Sequence, residues 1–414
     1  MKTLIYHPTG NANVRGVAKG LLEAGILGEF HTTIATFSKG SLGFLSKFGP
    51  FSELKRRAFD DSLRPFAKTW PIYEASRLFS LRAGFNKLTA HESGIFSIDS
   101  VLQHLDKQVA SQLSKSFKKG IDSIYAYEDE ALQTFKKSKK LGIKCYYDLP
   151  IGYWRTAQRL LTNESERWPE WSATLLGLQN SEAKLARKDE ELSLADRIYV
   201  ASTFTAKTLL DYPGKLAPVK VIPYGFPPVI KSKVYNSFAG NRPLKLLFVG
   251  GLSQRKGIAD LFAAVERFGP AVELTVVGRK PVENCNALNT ALTKYKWIPS
   301  LSHTDILKIM QANDVFIFPS LFEGFGLVIT EAMSQGTPVI TTDRTAGPDF
   351  ITHGENGWIT SAGSVDALFS TIEELLLNPT RIKAVAKAAL VTAGLRPWSA
   401  YSSELIASLL NDDE

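Results

Sequence analysis

The sequence predicts an α/β protein made of two parallel-sheet domains. Three observations predict it. Short apolar runs recur along the chain, each followed by a turn carrying Gly, Asn or Ser and then by a helix-periodic segment. The 414 residues exceed what one ordinary core holds. Residues 231–243 (KSKVYNSFAGNRP) have no periodicity, are rich in Ser, Gly, Asn and Pro, and separate two such series. The expected division is a first domain over 1–230, a linker over 231–243 and a second domain over 244–396.

In the first half, a strand at 4–6 leads into HPTGN, with Gly10 at the turn, and a helix over 14–22. No GxGxxG pattern follows, so a dinucleotide fingerprint is absent. A second strand is expected at 32–37. Residues 39–87 then mix aromatics with ten Lys and Arg against four acids. Two readings stay open: a helical pair with its aromatics inside, or a peripheral contact with an anionic membrane. Nucleic-acid binding is not expected, because no recognition motif accompanies the charge. After a helix over 101–119, the strand at 123–127 ends at Glu128 and the strand at 144–147 ends at Asp148. Between them lies a helix closed by Gly142. Strand C-termini are the ligand edge of such a sheet, which makes both carboxylates candidates. A long polar-aromatic helical stretch from 151 carries Arg155 and Arg159 one turn apart. A strand at 197–201, a helix capped by Ser202 or Thr203 and a short strand at 220–223 complete this half.

The second half opens with strands at 245–249 and 272–277 and continues with a strand at 297–298. A helix capped near Ser302 has Asp305 at its third position. The stretch 314–348 is the most informative in the chain. The apolar run 315–318 leads to Glu323-Gly324-Phe325-Gly326 and a helix bearing Glu331 about two turns in; a strand over 338–342 follows. A strand near 358–359 and helices over 364–377, 380–390 and 399–410 end the chain. Two anion sites are expected here. In GGLSQRKG (250–257), Arg255 and Lys256 beside a glycine turn suit a diphosphate, Arg by forked hydrogen bonds and Lys as a point charge. Around Gly324 to Leu327, backbone N–H groups at a helix start can approach an anion, while Glu323 accepts from sugar hydroxyls.

Composition bounds the rest. Hydrophobic residues make up 44% and charged residues 22%, as in soluble globular proteins. No apolar run is long enough for a transmembrane helix or a signal-peptide core. Cys145 and Cys285 lie outside any metal-ligand spacing, so buried thiols in the cytoplasm are expected and a metal site is not. The net charge of +8 favours acidic partners, such as nucleotide-sugar phosphates or anionic lipid.

The second half resembles the retaining GT-B glycosyltransferases of family 4. The resemblance rests on VGGLSQRKG (249–257), LTVVG (274–278), ANDVFIFPSLFEGFGLVITEAMSQGTPVI (312–340) and AGPDFITHGENGW (346–358). Glu323 to Glu331 reproduces the family's E-x7-E motif. Fainter likeness continues in LADRIYVASTFTAKTL (194–209) and VIPYGF (221–226). The segment RPWSAYSSEL (396–405) is similar to the family's last helix, which implies that residues 397–414 return to the first domain.

That resemblance implies two GT-B domains, a nucleoside-diphosphate sugar as donor, a glycan or lipid-linked acceptor, and no cofactor or bound metal. It implies that Glu323 contacts the transferred sugar and Glu331 the donor ribose. Arg255 and Lys256 would neutralise the diphosphate, assisted by the backbone of Gly324, Phe325, Gly326 and Leu327. Gly278 and Ile298 would lie near the base and Gly10 opposite the diphosphate. Gly251 stands where members often carry Arg, so Arg255 is the substitute. Many members place a His at the end of a first-domain strand; strand order puts Asp148 there, and His7 is the other candidate. Glu128 and Arg155 are the acceptor-side candidates. The expected location is the cytoplasm, or the inner face of the membrane as a peripheral protein. A non-catalytic sugar-nucleotide-binding subunit and another GT-B enzyme, such as an epimerase, are the alternatives.

Overall fold

The computed structural model describes residues 1–38, 57–235 and 242–411. Two all-parallel sheets organise them. The first has the order β3-β2-β1-β4-β5-β6-β7. Its strands are β1 Thr3–Tyr6, β2 Leu27–Thr32, β3 Ala67–Thr69, β4 Ser123–Tyr127, β5 Lys144–Leu149, β6 Arg197–Val200 and β7 Val219–Val221. The second has the order β10-β9-β8-β11-β12-β13. It is built from β8 Leu244–Val249, β9 Val272–Val277, β10 Lys296–Ile298, β11 Val315–Phe318, β12 Val339–Thr342 and β13 Trp358–Thr360. Each sheet starts in its interior, winds outward in one direction, and then restarts on the other side of its first strand. The chain therefore reverses between β1 and β4 and again between β8 and β11. Such reversal points open a crevice at the strand C-termini, where α/β sheets bind ligands.

The strands are buried on both faces, as parallel sheets require. One face of the first sheet is covered by the helices Ala12–Glu23 and Trp398–Leu410. The Ser402 hydroxyl donates to the carbonyl of Gly16 at 2.9 Å, and Arg197 Nη1 donates to that of Ser408 at 3.1 Å. The last helix thus returns to the first domain. The other face packs under Ile98–Lys118, Leu132–Leu141 and Glu182–Leu194. Gly142, at φ +70°, ends the middle one of these.

The structure corrects several expectations. The second strand is Leu27–Thr32, not 32–37; β1 pairs with residues 27–31, and the apolar residues beyond Thr32 pack in the following loop. Residues 57–87 are not a helical pair: β3 adds an edge strand before the helix Ile72–Arg82, and residues 39–56 lie outside the described residues. The helical stretch from 151 breaks at Pro169 into the helices Trp154–Arg167 and Glu182–Leu194, with two 3₁₀ turns between them. Those turns cross to the other half. Trp171 is buried in the core of the second domain, its ring 6.0 Å from that of Phe262. Among the described residues, no helix is long and apolar enough to cross a membrane.

Candidate active site in the second domain

At the β8/β11 reversal, two loops are bonded to one another. Ser253 caps the 3₁₀ turn Gln254–Lys256 by accepting from the N–H of Arg255 at 3.2 Å. Gly257, at φ +68°, lies so close to the β11 loop that a Cβ there would overlap the carbonyl oxygen of Pro319. The carbonyl of Arg255 accepts from Leu321 N at 2.9 Å and from Ser320 Oγ at 3.2 Å. These bonds bring Arg255, Lys256 and Glu323 together. Lys256 Nζ contacts Glu323 Oε2 directly, and Arg255 Nη1 lies 3.5 Å from the same oxygen while donating to the Phe322 carbonyl at 2.8 Å. Two cations therefore share one carboxylate, leaving one positive charge uncompensated among the described residues. Burial holds the Arg255 guanidinium down to about 10. Burial, then the charge of Arg255, pushes the Lys256 ammonium well below its ordinary range. An anion bound beside the pair would oppose that shift.

The helix Leu327–Ser334 begins at Gly326, whose φ of +89° suits glycine. Glu331 is its fifth residue, a little over one turn in and nearer the loop than two turns. Its Oε1 lies 3.0 Å from Nε2 of His303. Burial raises the Glu331 carboxyl, and the imidazole opposes that rise. Nothing in the sequence pairs His303 with Glu331, although Ser302 marks the helix start that presents the histidine. At the end of β9, Gly278 passes so close to Gly250 that a Cβ would overlap its carbonyl. The N–H of Gly278 donates to the Ile298 carbonyl at 3.0 Å. Gly251 is exposed, with open space where a side chain would project.

Phe325 is the surprise of this loop. Its ring leaves the second domain and packs 4.9 Å from the ring of Tyr224, within the cluster under the C-terminal helix. Gly324 touches the first domain as well: a Cβ there would overlap the Pro150 carbonyl. The Gly324 carbonyl accepts from Ser202 Oγ at 2.6 Å and Thr205 Oγ1 at 3.0 Å. The sequence shows Ser202 only as a helix cap; its grip on the opposite domain has no local signal. Beside Arg255, a cavity of about 320 Å³ opens between the domains, bordered by Trp154, Leu161, Leu178, Ser253 and Phe322.

The first-domain candidates are placed differently. Asp148 points onto the sheet face beneath the C-terminal helix, where Tyr125 donates to its Oδ2 at 2.7 Å. Burial pushes its carboxyl up to about 7, against the opposing hydrogen bond. Glu128 is committed to Lys188 at 2.9 Å, and burial raises it. Arg155 reaches Asp189 at 2.7 Å and Tyr153 Oη at 3.0 Å, and stacks 4.2 Å over Trp154. Arg159, one turn on, turns instead to Asp211 at 2.8 Å. Gly10 lies against Phe59, and its carbonyl accepts from Arg15 Nε at 2.6 Å. Beside it, burial lowers His7 to about 4 and keeps it neutral.

Residues 235–391 match the family described as glycosyl transferases group 1. A glycogen synthase of Mycobacterium tuberculosis is 27% identical over 262 residues, covering 60% of this chain and 60% of that protein. A capsular polysaccharide biosynthesis glycosyltransferase of Staphylococcus aureus is 33% identical over 135 residues, 31% of this chain and 36% of that one. The solved sucrose-phosphate synthase of Thermosynechococcus elongatus superposes with a TM-score of 0.66 at 17% identity, covering 100% of both chains. An Anabaena protein solved with UDP and glucose gives 0.62 at 18%, again over 100% of both. The matches thus span the whole fold but only about 60% of the length of the first curated relatives. Residues 235–391 thus carry a match to the group 1 glycosyltransferases, and the two domains together form the GT-B fold.

Proposed function

We propose that the protein is a retaining glycosyltransferase of family 4 that moves a sugar from a nucleoside-diphosphate donor to a hydroxyl acceptor. The observation that carries this reading is the meeting of Arg255 and Lys256 at Glu323, two cations against one carboxylate. The donor diphosphate supplies the missing anion. Its negative charge grows as the bond between the anomeric carbon and the phosphate oxygen breaks, and the two cations stabilise that growth without requiring a metal. Glu323 accepts hydrogen bonds from the transferred sugar, and Glu331 from the ribose. The acceptor hydroxyl attacks from the face that the diphosphate leaves, and its proton passes to the departing phosphate oxygen. Gly278 and Ile298 border the base, and the N–H groups from Gly324 to Leu327 face the sugar and phosphate.

Asp148 acts through Tyr125, as a positioning residue behind the cleft. Glu128 and Arg155, held by Lys188 and Asp189, shape the acceptor side. The acceptor is a glycan or a lipid-linked sugar, and the protein works in the cytoplasm or peripherally at the inner face of a membrane. The test is a thermal-shift screen of UDP-, GDP-, ADP- and dTDP-sugars followed by slow donor hydrolysis. Specific binding of one donor raises the melting temperature by mass action, and hydrolysis releases the free diphosphate. Tight binding without hydrolysis or transfer across an acceptor panel would instead mark a sugar-nucleotide-binding subunit.

A further inference from the structure

The helix Ile72–Arg82 is packed inside out. Its buried residues are Glu74, with no exposed surface, and Ser80 at 2%, whereas Ile72 is 70% exposed and Phe79 66%. Positions 72, 75, 79 and 82 fall on one helical stripe, and all four face outward. The inward side holds an ion network beside Tyr73, whose ring stacks 4.1 Å from that of His104. Glu74 accepts from Arg77 Nε at 2.7 Å and contacts Arg57, which also donates to the Pro8 carbonyl at 2.9 Å. A buried charge network of this kind fixes the helix orientation, so the apolar side has nowhere to turn but out.

The turn that follows continues the pattern. All of residues 81–88 (LRAGFNKL) are exposed, and this run carries Leu81, Phe85 and Leu88 with Arg82 and Lys87 and no acid. It is nevertheless well bonded: Phe85 N donates to Ser80 O at 2.9 Å, Leu88 N to Phe85 O at 3.0 Å and Phe96 N to Leu88 O at 2.8 Å. A Cβ on Gly84, at φ +73°, would meet nothing within 4 Å, so the turn projects outward. Other helices do the reverse: Leu132–Leu141 buries Phe135 and exposes Lys139 and Lys140.

We infer that Ile72, Phe79, Leu81, Phe85 and Leu88 form a wedge that enters the headgroup region of an anionic lipid bilayer, with Arg82 and Lys87 on the lipid phosphates. This deepens the peripheral-membrane part of the proposed function and names the surface that would perform it. Cations beside exposed aromatics on a projecting turn match an anionic interface. A second copy of the chain fits less well, because a two-fold contact here would set Arg82 and Lys87 against their own counterparts.

The experiment is flotation with vesicles of equal parts phosphatidylglycerol and phosphatidylcholine at low salt. Wild type should float, and vesicles of phosphatidylcholine alone should bind at least tenfold less. The pair Phe79→Ser with Phe85→Ser, and separately Arg82→Glu with Lys87→Glu, should each cut binding at least tenfold. All of these positions are exposed, so the melting temperature should hold. Wild type that stays off the anionic vesicles, or variants that float like wild type, would overturn the wedge. So would a change from dimer to monomer by light scattering in the Ser pair, which would assign the face to a second copy. Donor-sugar hydrolysis without vesicles separates the two proposals: its absence in wild type defeats the transferase reading and leaves the flotation result standing.

Discussion

The two chain reversals are built alike and filled oppositely. At β8/β11, a carboxylate meets two cations and one positive charge is left over. At β1/β4, charges are matched or silenced: Lys188 takes Glu128 and Asp129, and His7 is held neutral by burial. Asp148 lies one strand further out, on the face covered by the last helix. An unbalanced charge held by a bonded scaffold is prepared for a ligand; a balanced one is largely finished as structure. On the proposed function, the second domain fixes the donor in advance. On the same reading, the first leaves its acceptor to be met by shape.

The sharpest way to break that contrast is Glu323→Ala. It should lower kcat/KM by ~10²–10³-fold, the usual cost of removing one preorganised group from a reacting centre. A comparable loss in Asp148→Asn would erase the distinction. Next in size is Trp171→Ala, which empties a site in the second domain's core from a residue of the first. It should cost ~3–5 kcal/mol of stability by chemical denaturation.

Lys256→Met removes one of the two cations and leaves Glu323 beside Arg255 alone. Donor affinity by calorimetry should fall ~10–100-fold, the range of a charge-assisted hydrogen bond. Glu331→Gln should weaken donor binding by ~10-fold, with kcat less affected. An equal fall for an analogue lacking ribose hydroxyls would detach Glu331 from the ribose.

The smallest effect belongs to Asp148→Asn, with kcat/KM changing by less than ~3-fold. Its signature is in the pH dependence. The carboxyl is raised from 3.8 to about 7 in the folded chain, so the native state holds its proton more tightly. That stabilisation is complete below the unfolded value and disappears as pH rises through 7. Wild type should lose stability relative to the variant between about pH 4 and 7, read from paired melting curves.

Much of this was legible in the sequence, and the limit is physical. The strand-loop-helix rhythm and the Arg255-Lys256 and Glu323–Glu331 motifs are local patterns, and local patterns survive in one dimension. The first-domain site was read less well, because a residue at a strand end faces either the cleft or a sheet face. For Asp148, that choice depends on a helix that begins 250 residues downstream. The inverted helix at Ile72 hid for the same reason. Its polar residues look like a solvated face until Arg57 closes on Glu74. The pairing of His303 with Glu331 and the packing of the Phe325 ring on Tyr224 have no local signal, because the partners come from other elements.

The crossing of Trp171 into the other half has a consequence for anyone recombining this molecule. Exchanging second halves at residues 231–243 would carry away Phe262 and leave Trp171 without its socket. The Thr174 hydroxyl, which takes the N–H of Gln254 at 3.0 Å, would lose its partner as well. A working chimera would have to take residues 164–180 along with the second half, as well as handing Trp398–Leu410 back to the first. The natural units of exchange in this chain are interleaved segments.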